Sequence, residues 1–254
     1  MISEDPGKLF MQIYNNLSLS SQNNGIGNLG EKRLHFALKY FYEPDDFFHE
    51  IKINKYVADI EKDGFITEIQ TGNIFKLKEK IDYYASNGYR TKIVIPVYSN
   101  IKIVNMNTEG GVINTRNSPQ RYDLFSFSKD LNYIKHNNIK GYLDIDFVYF
   151  DIEEYRTITT SQSGRRSRII KKDRIPLKLT DIIHTGTIDD YESFIPFGLP
   201  YYFSAVEFSE CANTSRSNAS YTLTFLKNLG KLDYYGKKGS MSLYKEVGVN
   251  IIQQ

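Results

Sequence analysis

The apolar positions of this chain change period several times, and the changes divide it into elements. Leu9, Phe10, Ile13, Tyr14 and Leu17 recur at helical spacing, so residues 5–17 predict a short helix. A polar, glycine-bearing stretch, SSQNNGIGNLG, separates it from a stronger helix over about Leu29 to Tyr42. There Leu34, Ala37, Leu38 and Phe41 form the apolar stripe, while Glu31 and His35 stand one turn apart on another face. HEIKINKYVADIE alternates as a strand or hairpin limb, KDG is a hairpin turn, and FITEIQT is a second strand. NIFKLKEKIDYYASNG reads as a helix with Ile74, Leu77, Ile81 and Tyr84 inward and Gly88 at its end. TKIVIPVY is almost continuously apolar, which suits a strand buried on both faces; after a tight Ser–Asn turn, IKIVNMN predicts another. Helix, strand, strand, helix, strand, strand is the order of a mixed sheet with helices beside it, an α/β fold.

Residues 108–120 carry turn residues and little apolar content, and read as a linker or exposed loop. LFSFSKDLNYIKHNNI predicts a helix, and YLDIDFVYFDIEEYRTI a strongly alternating strand. A basic hairpin follows, and the chain changes character at LTDIIHTGTIDDYESFIP. Beyond it Ser204 is a good N-cap for a helix, and NTSRSN is a short turn. A second helix spans Ala219 to Leu229 with Gly230 as its C-cap. KLDYY and SLYKEV then predict two strands joined by GKKGS. Two domains are expected, residues 1–178 and 179–254.

Composition narrows the class. Of 254 residues, 41% are hydrophobic and 24% charged, ordinary for a globular protein with a proper core. No apolar run approaches the ~20 residues that span a bilayer, so no membrane partner is expected. MISEDPGKLF has acids where a signal peptide needs basic residues. The single cysteine, Cys211, excludes an internal disulfide framework, argues for the cytoplasm, and in mid-helix reads as a buried small hydrophobe. Net charge is only +2, yet residues 165–178 (RRSRIIKKDRIPLK) hold seven Lys/Arg against one acid, Asp173. Such a block points to local contact with a polyanion, or else to a solvated hairpin.

The candidate chemistry lies at VADIEKDGFITEIQTGNIFKLK, residues 57–78. Asp59 and Glu68 fall on adjacent strands of the hairpin, and Gln70 is two places beyond Glu68, on the same face. Two carboxylates with water and phosphate oxygens complete the octahedron of Mg²⁺, or of Mn²⁺, and such an ion can activate water and neutralise a scissile phosphate. Glu31 can approach from the preceding helix, and Lys76 or Lys78 could contact the phosphate. The plain alternative is a pair of surface acids and a solvated lysine face.

A helix with glutamate (Glu31 in GEKRLHFALK), a strand aspartate (Asp59 in VADI), a Glu-x-Lys-like strand (Glu68-Ile69-Gln70 in TEIQT) and a following helix resemble the PD-(D/E)XK nuclease superfamily over residues 25–107. The resemblance implies a restriction-endonuclease-like core and metal-dependent phosphodiester hydrolysis. It also implies Asp59, Glu68 and the Ile69 carbonyl as metal ligands. Gln70 stands where the motif lysine would be, as in some branches of the superfamily. Glutamine can orient a water but cannot act as a cation or proton donor in the lysine's place.

Residues 201–247 resemble a winged helix-turn-helix. By that resemblance the second helix enters the major groove of double-stranded DNA, with Ser215, Arg216, Ser217, Asn218, Ser220 and Thr222 as base-edge candidates. Lys237 and Lys238 at the wing tip would meet phosphates, and Arg165, Arg166, Arg168, Lys171 and Lys172 would track the duplex backbone. The expected function is a divalent-metal-dependent DNA endonuclease of a restriction, defence or repair kind, with a homodimer convenient for cutting both strands. A DNA-binding regulator whose nuclease fold no longer cuts is the alternative.

Overall fold

A computed structural model describes residues 5–20, 29–120, 122–160 and 167–248 of the chain. The elements are α1 (Pro6–Ser20), α2 (Leu29–Tyr42), β1 (His49–Ile53), β2 (Tyr56–Lys62), β3 (Phe65–Ile69), α3 (Lys78–Ser86), β4 (Arg90–Met106) and β5 (Val112–Asn117). They continue with α4 (Ser128–Leu131), α5 (His136–Gly141), β6 (Leu143–Thr160), β7 (Ser167–Thr185), α6 (Ala205–Cys211), α7 (Arg216–Leu229), β8 (Leu232–Lys238) and β9 (Met241–Glu246). Seven strands make one mixed sheet, in the order β1-β2-β3-β4-β6-β7 with β5 paired to β4, while β8 and β9 form a separate hairpin. The fold is α/β, as the run of elements predicts. No helix among the described residues is long and apolar enough to cross a membrane.

The chain divides into two compact units, and neither is one stretch of sequence. The first takes residues 1–71, 94–122 and 147–183; the second takes 72–93, 123–146 and 184–254. The units differ in this from a division at residue 178, because β4, β6 and β7 each pass from one unit into the other.

In the first unit, the stripe of α2 and the inward face of α1 bury against the sheet. Phe10, Tyr14, Leu34, Ala37 and Leu38 pack with Ile69, Val94, Tyr98, Val148, Phe150 and Ile152. β2 and β3 meet through Asp63–Gly64, whose φ angles of 53° and 79° are the pair of positive values that a two-residue type I′ hairpin requires. The register places Ile60 opposite Thr67 and Lys62 opposite Phe65. The second unit is held by rings: Phe194 and Phe225 stand 5.7 Å apart, Tyr191 is 5.5 Å from Phe225, and Phe125 is 5.8 Å from Phe208. Ser204 caps α6 in a reciprocal box with Glu207, and Gly230, at φ 83°, ends α7.

Not every element matches expectation. Residues 90–106 form one continuous strand, not two joined by a turn. Val94 and Tyr98 and then Ile101 and Ile103 reach the same core cluster, so the inward parity shifts at Ser99–Asn100 without breaking the strand. Residues 112–117, read as linker, form β5; all six side chains are exposed, so no alternation marks them. The helix expected over 124–139 breaks into a 3-10 turn, α4 and α5, in a segment whose asparagines favour turns over helix interiors. Cys211 is exposed at the last position of α6, not buried in mid-helix.

The aromatic cluster of the second unit predicts that Phe225→Ala lowers the free energy of unfolding by about 3–5 kcal/mol. Urea denaturation followed by circular dichroism checks this; a loss below about 1 kcal/mol would contradict the packing described.

Candidate functional site

The hairpin brings Asp59 and Glu68 together from opposite sides of its ladder. Asp59 immediately precedes, and Glu68 immediately follows, the last registered pair, Ile60–Thr67. Asp59 is partly buried and its Oδ2 accepts the Ile69 amide N–H at 2.8 Å. The same oxygen lies 3.2 Å from His35 Nε2. An ionised carboxylate only accepts, so that ring nitrogen carries the proton and donates. The helix stripe explains the approach: Leu34 and Leu38 are buried in the core cluster, which turns their neighbour His35 toward the end of β2. Glu68 is 2% exposed, a carboxylate withdrawn from water at the end of a strand. Gln70 follows it half-buried, its backbone amide donating to the Val94 carbonyl at 2.9 Å.

One further turn along α2, Lys39 is only 1% exposed and its ammonium pairs with Glu50. β1 pairs with β2 through His49–Ile60 and Ile51–Ala58, which sets Glu50 opposite Asp59. Glu50 holds a φ of 53°, a left-handed conformation costing a non-glycine residue on the order of 1–3 kcal/mol. Lys39 also lies over the Phe36 ring, at 4.7 Å. The sequence pattern places His35 one turn from Glu31 and does not distinguish Lys39 from an ordinary helical lysine. The signal was the i, i+4, i+8 run Glu31–His35–Lys39, whose meaning depended on the strand that α2 covers.

The other expected residues are distributed as follows. Glu31 lies in the first turn of α2, but its side chain lies outside the described residues, as do Arg165 and Arg166. Lys76 is exposed in the 3-10 turn Ile74–Leu77 and Lys78 is half-buried at the start of α3; both belong to the second unit, whereas Asp59, Glu68 and Gln70 belong to the first. Arg168, Lys171 and Lys172 are exposed on β7.

In the second unit, the face of α7 formed by Ser217, Ser220, Tyr221, Thr224 and Lys227 is exposed and contains no acid. Ser215 caps the helix through the Asn218 amide at 3.1 Å, and Arg216 and Ser217 are exposed in its first turn. Asn218 is partly buried and its side-chain amide donates to Thr214 at 3.2 Å. Thr222, expected at a base edge, is instead fully buried: its hydroxyl donates to the Asn218 carbonyl at 2.9 Å and meets Ser128 Oγ at 2.8 Å. Its role is packing. Lys237 and Lys238 are exposed at the end of the β8–β9 hairpin.

The profile of a family described as a domain of unknown function, DUF8091, matches residues 32–185, more than half of the chain. The chain belongs to that family. The DUF8091 region ends with β7; it contains His35, Lys39, Glu50, Asp59, Glu68 and Gln70, and excludes α6, α7 and the β8–β9 hairpin. No curated protein and no solved structure matches the chain.

Within the DUF8091 region, among the described residues, no three His, Cys, Asp or Glu side chains gather closely enough to enclose a metal. Asp59 and Glu68 still match the needs of Mg²⁺, which binds through one or two carboxylates and keeps several waters. Asp59 uses Oδ2 for both Ile69 and His35.

The Lys39–Glu50 pair joins a buried cation to a largely exposed acid, so replacing Lys39 with an apolar residue of similar length leaves no buried charge stranded. Lys39→Met is therefore expected to change unfolding free energy by less than about 1.5 kcal/mol. Chemical denaturation checks it, and a loss of about 3 kcal/mol or more would show that the pair chiefly holds the fold.

Proposed function

We propose that this DUF8091 protein is a divalent-metal-dependent DNA endonuclease, with a restriction-endonuclease-like core in its first unit and a winged helix-turn-helix in α6, α7, β8 and β9. The observation that carries the reading is Asp59, fixed by the Ile69 amide and His35 beside the buried carboxylate of Glu68. Two acids at the end of a two-residue hairpin are held by backbone geometry, which is what a metal-assisted hydrolysis needs of its ligands.

Asp59, Glu68 and the Ile69 carbonyl hold Mg²⁺ or Mn²⁺, and Glu31 completes or polarises the site. The ion, when bound, supplies positive charge to the scissile phosphate and lowers the pKa of water. Gln70 orients the attacking water by hydrogen bonding. His35 aims Asp59 by donating to Oδ2. Lys39, carried on α2 within the DUF8091 region, takes the place of the lysine absent at position 70; Lys76 and Lys78 lie in the second unit and are given no part in this site.

Double-stranded DNA is the substrate. The acid-free face of α7 lies in the major groove, with Arg216, Ser217 and Ser220 toward base edges. Lys237 and Lys238 position the wing on phosphates, and Arg168, Lys171 and Lys172 follow the backbone. Restriction-type defence or repair in the cytoplasm, by a homodimer that cuts both strands, fits these parts. Gln70 favours one other reading, a DNA-binding regulator without nuclease activity, because a neutral amide cannot give the transition state the charge a lysine gives.

Supercoiled plasmid with Mg²⁺ or Mn²⁺ separates the two. The endonuclease reading expects nicking or linearisation by the wild-type protein, and a loss on the order of 100-fold or more in Asp59→Ala and Glu68→Ala. Salt-sensitive duplex binding without cleavage would select the regulator, and neither binding nor cleavage would refute both.

A further inference from the structure

The inward face of β6 runs Val148, Phe150 and Ile152 into the apolar core of the first unit, and the next positions in that alternation are Glu154 and Arg156. Glu154 is thus carried to a depth where it is 1% exposed. Three cations converge on it. Arg156 reaches Oε1 through Nε at 2.6 Å and Nη2 at 2.5 Å, Arg174 reaches Oε2 through Nε at 3.0 Å, and Lys171 stands 3.4 Å from Oε2. Burial alone would raise the Glu154 carboxyl, but hydrogen bonds from Arg156 and Arg174 and the charges of Arg174 and Lys171 hold it below the ordinary glutamate range. The carboxylate is therefore ionised, and it balances one positive charge of three.

Among the described residues, neither neighbouring acid pairs with the Arg156 or Arg174 guanidinium. Glu153 is engaged by Lys102 at 2.9 Å and by the Tyr155 hydroxyl at 2.7 Å. Asp173 turns its carboxylate back onto the Arg174 amide at 2.8 Å. The surplus charge is also not simply left in water: the Arg156 side chain is 17% exposed and that of Arg174 is 32% exposed. Arg174 lies 5.0 Å from the Tyr98 ring centroid, where the aromatic face offsets part of its desolvation. Two guanidinium groups withdrawn from solvent with one counter-charge between them favour a second anion. Each retains planar N–H donors beyond those spent on Glu154, and the fork geometry of guanidinium matches phosphate oxygens in pairs.

We infer that Arg156, Arg174 and Lys171, arranged on Glu154, form an anion seat for one backbone phosphate of the nucleic acid. Glu154 acts as the scaffold: it orders both arginines, and its single charge leaves the seat net positive. The ligand's identity rests on the DNA reading given above; the seat itself does not.

Two measurements keep the seat and that reading apart. Inorganic phosphate is titrated into the ¹⁵N-labelled full chain while the arginine Nε–H resonances are followed by NMR, with sulfate as a second oxyanion and chloride as control. Duplex affinity is measured against salt for the wild type, for Lys171→Gln with Arg174→Gln, and for Lys171→Gln alone in case the double variant does not fold. Saturable shifts at Arg156 and Arg174, together with a salt slope lower by about 1 in the variants, are expected. Duplex binding by the wild type with an unchanged slope in a folded variant and no phosphate shifts would overturn the seat while leaving the DNA reading standing. Phosphate shifts without any duplex binding would keep the seat and remove nucleic acid as its ligand. Shifts that chloride reproduces equally would reduce the cluster to an ion-pair network.

Discussion

A buried ionisable side chain keeps its charge only where opposite charge or hydrogen bonds meet it, and three such side chains set the terms of the first unit. Lys39 pairs with Glu50, Glu154 is gripped by two arginines, and Glu68 sits at the end of β3 with almost no exposure. Each stands near a residue of the apolar cluster along the chain: Leu38 beside Lys39, Ile69 beside Glu68, and Ile152 two places before Glu154. The helices α1 and α2 and strands β4 and β6 supply most of that cluster. Buried charge contributes little net stability compared with well-packed apolar residues, so its presence there is better explained by what it binds or orients than by what it holds together.

The hairpin gives the same logic at smaller scale. A two-residue turn with both φ angles positive leaves no slack in the register, so Asp59 and Glu68 flank one ladder pair by necessity. The Ile69 amide, freed from the ladder at that point, is taken by Asp59, and His35 adds a second donor from the helix. A carboxylate fixed by backbone and by a helix, as Asp59 is, needs little reorganisation to serve as a ligand. The α7 face has a different preparation. It is polar, exposed and free of acids, while its buried side, down to Thr222, is committed to packing.

Local signals were well written in the sequence. Asp63–Gly64, the stripe of α2, Ser204 before α6 and Gly230 after α7 each depend on a few adjacent residues, and each predicts the element found. What was not legible depends on neighbours distant in sequence. Ser99–Asn100 reads as a turn unless the strands on either side carry β4 straight through. Val112–Asn117 reads as linker because an edge strand exposed along its whole length shows no alternation. Lys39 reads as an ordinary helical lysine, and Glu154 as one more polar residue of a strand, until β1, β4 and β7 are placed around them. The interleaving of the two units follows from three strands long enough to serve both, which no composition change along the chain announces.

The central claim is that Asp59 and Glu68 share one hard divalent cation, and direct binding of Mn²⁺ tests it independently of any cleavage assay. Electron paramagnetic resonance of free Mn²⁺ against protein concentration should show one saturable site per chain in the wild type. That site should be lost in both Asp59→Ala and Glu68→Ala while the circular dichroism spectrum stays unchanged. Binding of equal stoichiometry and affinity in a folded Asp59→Ala variant, or its absence from the wild type at millimolar Mn²⁺, would contradict the account.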